Sequence, residues 1–224
     1  AAYSFGEPPA KFDLEYRDDD KKFHQVLGLT PLKFYHEYFD TNLSDYVVVT
    51  NAPDHEMDRS YLMPAQDSVV DGLPIKFVNV PFAELQEGAI KQLQAGETVW
   101  VGNDVLQQMD RKRGLMDAKL YHREELLDVD FVMDKKHRLE TKQAVVSHAM
   151  TLTGFDMVND QPTRWKIENS WGKDNGDNGY FVMTQDWFEE YTYEAVINKK
   201  YLSDRVKKVA DSEPVTLPAW DSLQ

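Results

Sequence analysis

The sequence predicts an α+β fold, and three features carry that expectation. A helix-to-strand unit spans residues 81–101, two successive strands near residues 145–169 alternate apolar and polar residues, and strands dominate the rest as far as residue 198. Helical and loop-rich sequence comes first, over residues 1–80.

Phe12-Asp-Leu-Glu-Tyr16 alternates apolar and acidic residues as a short strand does, and the charged stretch Arg17 to Lys22 is expected to be exposed. Thr30 suits an N-cap with Pro31 at the first helical position, and Leu32, Tyr35 and Phe39 then share one face, which is expected to be core. Tyr46 to Thr50 is a β-branched run closed by Asn51-Ala-Pro53, a buried strand and a turn. Residues 54–74 look polar and irregular.

From Pro81 the spacing turns helical, with Leu85, Ala89 and Leu93 on one face and Gly96 as the stop before the strand Thr98 to Val101. Residues 105–140 are rich in charge and methionine and are expected to form a helical, peripheral insertion. In the segment after it, Val146, His148, Met150 and Leu152 alternate with Ser147, Ala149 and Thr151, which puts His148 on the apolar face of a strand. Trp165, Ile167 and Asn169 share a face of the next strand, opposite Arg164, Lys166 and Glu168. Gly172 to Gly179 is a turn-dense loop, followed by a strand to Met183, a helical turn over Asp186 to Tyr191, and a strand from Tyr193 to Asn198.

Composition excludes several function classes. The chain has 224 residues, 42% of them hydrophobic, enough for one large domain or two small ones. A formal charge of −14 disfavours a nucleic-acid partner, because that affinity rests on Lys and Arg displacing counterions from phosphates. No apolar run approaches the ~20 residues that cross a bilayer, so no membrane partner is expected. With no cysteine there is no disulfide, no thiolate metal site and no thiol nucleophile within this chain, and a reducing cytoplasm fits that count. The opening Ala1-Ala2-Tyr3, without Met, is what a processed or fragmentary chain would show.

Inward-facing His148 and Asn169 each need a hydrogen-bond partner, because burying either unpaired costs roughly 1–3 kcal/mol. They could satisfy each other. An Asn carbonyl oxygen accepting from an imidazole N–H fixes the ring and its tautomer, leaving the other nitrogen to exchange a proton with a nucleophile. Spacing alone leaves two readings open, a satisfied pair of core residues and a catalytic pair. Other candidates are weaker: Asp174 to Gly179 lacks the spacing and closing Glu of a calcium loop, and His122 near Glu124 and Glu125 has no second His at helical spacing, so neither a metal nor a cofactor is expected.

The local sequence adds to this. Ser147-His148-Ala149, then Asn169-Ser170-Trp171-Gly172 and Gly179-Tyr180, resemble the papain superfamily of cysteine peptidases. Glu15 to Asp18, Thr30 to Tyr35, Val99-Trp100 with Gly102, Asp104-Val105, Asp186 to Phe188 and Leu217 to Asp221 extend the resemblance over almost the whole chain. They point to one branch, the bleomycin hydrolase and aminopeptidase C family, of which this chain resembles the C-terminal half.

The resemblance implies an antiparallel, barrel-like sheet with flanking helices, divided as residues 1–80, a sheet domain over 81–212 and a C-terminal arm over 213–224. It makes His148 the catalytic acid and base, Asn169 its orienting partner, and Trp171 the cover over that hydrogen bond; packing in the core would equally account for Trp171. The catalytic cysteine would lie in an N-terminal half that this chain lacks. Peptides would be the substrates, a homohexamer the full-length assembly, and hydrolysis would run through an acyl-thioenzyme.

In that family the terminal carboxylate holds the substrate's amino group, a role that falls on Gln224. This tail ends about three residues early, on the order of 10 Å in extended chain, so aminopeptidase and endopeptidase action both stay open. So does a non-catalytic role in peptide binding or assembly.

Overall fold

The computed structural model describes residues 2–7, 9–39, 41–70, 72–131 and 133–223. They form two compact units, Ala1–Ser44 and Asp45–Gln224. The first contains helix α1 (Ala2–Phe5), the antiparallel hairpin of β1 (Phe12–Arg17) and β2 (Phe23–Leu29), and helix α2 (Pro31–Tyr38). Thr30 caps α2 as expected, accepting from the Lys33 N–H at 3.1 Å, with Pro31 in the first turn. The apolar face of α2 departs from expectation: Leu32 and Phe39 are exposed and the helix buries no residue. Periodicity marks a face as apolar, but a hairpin and one short helix leave that face little to pack against.

The second unit is built on an 11-stranded sheet. Its strands are β3 (Tyr46–Thr50), β4 (Arg59–Leu62), β5 (Lys76–Asn79), β6 (Val99–Asn103), β7 (Met109–Asp110), β8 (Leu115–Met116), β9 (His148–Val158), β10 (Gln161–Glu168), β11 (Tyr180–Thr184), β12 (Thr192–Asn198) and β13 (Val215–Thr216). Helices α3 (Phe82–Gln94), α4 (Arg123–Leu127), α5 (Lys135–Glu140), α6 (Gln185–Tyr191) and α7 (Asp204–Ala210) flank it. The order is β13-β4-β5-β3-β12-β6-β9-β10-β11-β8-β7. Pairing is mainly antiparallel; β3 with β5, β4 with β13 and β8 with β11 are parallel. Met116 on β8 and Val49 on β3, far apart in that order, belong to one buried cluster, so the sheet curls around it.

That cluster is filled by the residues the alternation predicts. Met150 and Leu152 of β9, Trp165 and Ile167 of β10, and Leu85 and Ala89 of α3 are all buried in it. Helix α3 ends as anticipated, with Gly96 in the left-handed region (φ 82°) and its N–H bonded to the Leu93 carbonyl. The sheet takes in sequence earlier than residue 81, since β3, β4 and β5 all belong to it. The segment 54–74, polar by composition, holds β4, whose Ser60 and Tyr61 are buried.

Residues 105–140 are helical only in their second part. Their first part makes the hairpin β7–β8, whose second strand pairs in parallel with β11 and buries Met116. Lys135 of α5 is buried as well, its ammonium donating to Asn51 Oδ1 and to the carbonyls of Glu189 and Thr192. Burial in these surroundings lowers the Lys135 pKa to about 7. No helix among the described residues is long and apolar enough to cross a membrane.

Candidate active site

Strands β9 and β10 form a hairpin, and its register places the two polar residues that alternation turned inward. The connection is Asn159-Asp160, both at positive φ, which suits a two-residue turn between twisted strands. Two irregularities, one on each strand, offset one another, so Glu168 faces Thr151 at the far end of the ladder. Extending that register puts Asn169 opposite Met150, and His148 lies two residues further along β9 on the same face.

The side chains meet there. His148 Nε2 lies 2.9 Å from Asn169 Oδ1. A carbonyl oxygen only accepts, so Nε2 carries the proton and Nδ1 is left with its lone pair. Backbone bonds hold the pair in place. The Asn169 N–H donates to the Gly179 carbonyl at 3.0 Å, and the Ser147 N–H donates to the Asn103 carbonyl at 3.0 Å. Asn103 is itself fixed, donating from Nδ2 to Thr192 Oγ1 at 2.6 Å in the buried interior. Asn169 is 7% exposed, and its Nδ2 has no hydrogen-bond partner among the described residues. A single side-chain bond therefore ties Asn169 to the imidazole.

Trp171 stacks on His148, with ring centroids 5.1 Å apart and planes 29° from parallel. It also meets Phe181 edge-on at 5.8 Å and packs against the main core, so the indole joins His148 to the core. The loop after it is tied back by Asn175, whose Nδ2 donates to the Trp171 carbonyl at 2.6 Å. Gly172, Gly176 and Gly179 all sit at positive φ in that loop, which explains its glycine content.

Two strands away from β9 stands a residue that the sequence reading passed over. Glu194 on β12 pairs with Gly102 on β6, and Gly102 pairs in turn with Ala149, the neighbour of His148. A Cβ on Gly102 would lie 2.9 Å from Val146 Cγ1 and 3.1 Å from Glu194 Oε2, so the missing side chain is what makes room for that carboxylate. Burial pushes the Glu194 carboxyl up to about 7. Its one signal in sequence is an acid inside the apolar run Tyr193 to Ile197.

His122 is exposed and meets Glu125 at 3.1 Å, and no group of three or more His, Asp and Glu among the described residues is arranged to hold a metal. The arm adds β13 to the sheet and ends with Leu223 buried, its carbonyl accepting from Gln66 Nε2 at 2.9 Å. Gln224, to which substrate anchoring was assigned, lies outside the described residues.

Comparison with known proteins decides the family. The model of the peptidase C1-like family matches residues 1–224. The chain belongs to that family. It is 53% identical to aminopeptidase E of Lactobacillus helveticus over 223 residues, which is 99% of this chain and 51% of the relative. With aminopeptidase C of Listeria innocua it shares 40% identity over 98% of the chain and 50% of the relative. The crystal structure of PepW from Lactobacillus rhamnosis matches with a TM-score of 0.95 and 42% identity, covering 99% of this chain and 51% of that one. The α+β fold is thus that of a peptidase, and the chain spans about half the length of these relatives.

Proposed function

We propose that this chain is the histidine- and asparagine-bearing part of a cysteine-type aminopeptidase, completed by a cysteine from a segment outside these 224 residues. One observation carries the reading: the 2.9 Å contact between His148 Nε2 and Asn169 Oδ1, with Trp171 stacked over it. The names of the relatives supply the substrate class, peptides cleaved from the amino end.

In this reading Nδ1 of His148 takes the thiol proton, and the thiolate forms a C–S bond to the scissile carbonyl carbon. The imidazolium then gives its proton to the leaving amine as the C–N bond breaks. Water next attacks the thioester, losing a proton to Nδ1, and the acid leaves as the C–S bond breaks and His148 returns the proton to sulfur. Asn169 Oδ1 keeps the ring in place through the Nε2–H it accepts. A homohexamer, implied by the sequence resemblance, belongs to the same proposal.

The test uses aminoacyl fluorogenic substrates. The 224-residue chain alone is expected to show no turnover, and addition of a cysteine-bearing N-terminal half should produce thiol-sensitive activity. His148→Ala should abolish that activity, and Asn169→Ala should lower kcat by about tenfold or more. Turnover by the chain alone would overturn the proposal. A stable complex of the two halves with no turnover would instead mark a peptide-binding or assembly module.

A further inference from the structure

Trp171 has a second polar neighbour besides His148. Cζ of Arg111 sits 4.6 Å from the centroid of the Trp171 ring. The same side chain donates from Nε to Asn175 Oδ1 at 2.7 Å, and Asn175 Nδ2 donates to the Trp171 carbonyl at 2.6 Å. One guanidinium thus reaches Trp171 twice, directly at the ring and through a single amide at the backbone. A planar, weakly hydrated guanidinium can stack on the indole and donate from Nε at once, whereas a lysine ammonium is a compact point charge with no flat face to stack.

Arg111 is presented by a hairpin that is itself fixed. It lies between β7 and β8, and its carbonyl accepts from the Gly176 N–H at 3.2 Å. The Gly114 carbonyl accepts from the Val182 N–H at 2.8 Å, and Met116 is anchored in the core. The hairpin is therefore a rigid support for the loop that follows Trp171. That support matters because Trp171 is only partly buried and because one side-chain bond joins Asn169 to His148.

We propose that Arg111 is a positioning residue for His148: by clamping Trp171 through its ring and through Asn175, it keeps the indole over the imidazole and shields the Nε2–H···Oδ1 bond from water. The inference rests on the reading of His148 and Asn169 given under Proposed function.

The readout is the Nε2–H proton of His148, followed by NMR in the 224-residue chain. Arg111→Ala should speed its exchange with water about fivefold, the scale of a cation–π contact at a partly exposed site. Backbone amides of β9 and β10 should keep their protection, which separates loss of the clamp from general loosening. Arg111→Lys should recover less than half of the lost protection. Exchange in Arg111→Ala within twofold of the parent, or full recovery in Arg111→Lys, would overturn the proposal. Asn169→Ala serves as the control: it should remove the protected resonance altogether. If it changes nothing, the His148–Asn169 reading itself fails, and the Arg111 proposal falls with it.

Discussion

Gly114 and Gly176 meet with no room for a side chain between them: a Cβ on Gly114 would lie 2.7 Å from the Gly176 Cα. A Cβ on Gly176 would in turn lie 2.3 Å from the Tyr180 carbonyl oxygen and 2.6 Å from Phe181 Cδ1. Both glycines also occupy the left-handed region, at φ 70° and 60°. The contact brings the β7–β8 hairpin against the loop that follows Trp171, so it sits one step behind the candidate active site.

Alanine at Gly176 is therefore expected to be costly. The backbone strain at positive φ is about 1 kcal/mol, and the clash with the backbone of Tyr180 cannot be relieved by turning a side chain. A loss of about 2–4 kcal/mol in urea unfolding is expected, together with a shift in tryptophan emission as the Trp171 loop moves. Unchanged stability would show that the hairpin and loop separate easily in solution.

The carboxyl of Glu194 gives a pH-dependent prediction. Burial raises its folded pKa to about 7, above the ordinary 4.5. The folded state then holds the proton more tightly than the unfolded state between those values, so this group makes folding less favourable as pH rises from about 4.5 to 7. Above pH 7 the penalty is complete. Glu194→Gln should accordingly stabilise the chain by about 1–2 kcal/mol at pH 8, reduced from the full shift because the residue is only partly buried, and by much less at pH 5. Urea titrations at the two pH values decide it, and an equal gain at both would sink the idea.

How much of this was legible in the sequence depends on the range of the interactions. Alternation over residues 146–152 and 165–169 placed His148 and Asn169 each on the apolar face of its own strand, because the period of a strand is local. The N-cap at Thr30 and the stop at Gly96 were legible for the same reason. The hairpin at residues 109–116 was not, since two-residue strands carry no periodicity and this one is held by pairing with β11, some 65 residues later in the chain. Strand β4 was hidden by polar flanks, and Lys135 by its residue type. Nothing near Lys135 in sequence announces three acceptors contributed by Asn51, Glu189 and Thr192. The exposed face of α2 is the converse case, a local pattern that was read correctly as apolar but has no burial to match it.

The C-terminal arm gives the last prediction. His55 stands between two aspartates, with Nδ1 2.9 Å from Asp54 Oδ1 and Nε2 3.1 Å from Asp221 Oδ1, and all three side chains are largely buried. Ser222 Oγ donates to the other oxygen of Asp54, so two consecutive arm residues are tied to the turn after β3. The Asp54 carboxylate beside Nδ1 raises the His55 pKa above its ordinary 6.5, against an opposing effect of burial, with Asp221 adding to the rise. A raised folded pKa means that the stabilisation is complete below about 6.5 and is lost as pH climbs through the folded value. His55→Gln should therefore loosen the arm at pH 6, speeding exchange of the Leu217 and Leu223 amides by about tenfold, and by less at pH 9, because the stabilisation is lost as pH rises. An effect of equal size at both pH values would show that packing of the ring against Tyr61, not its charge, holds the arm.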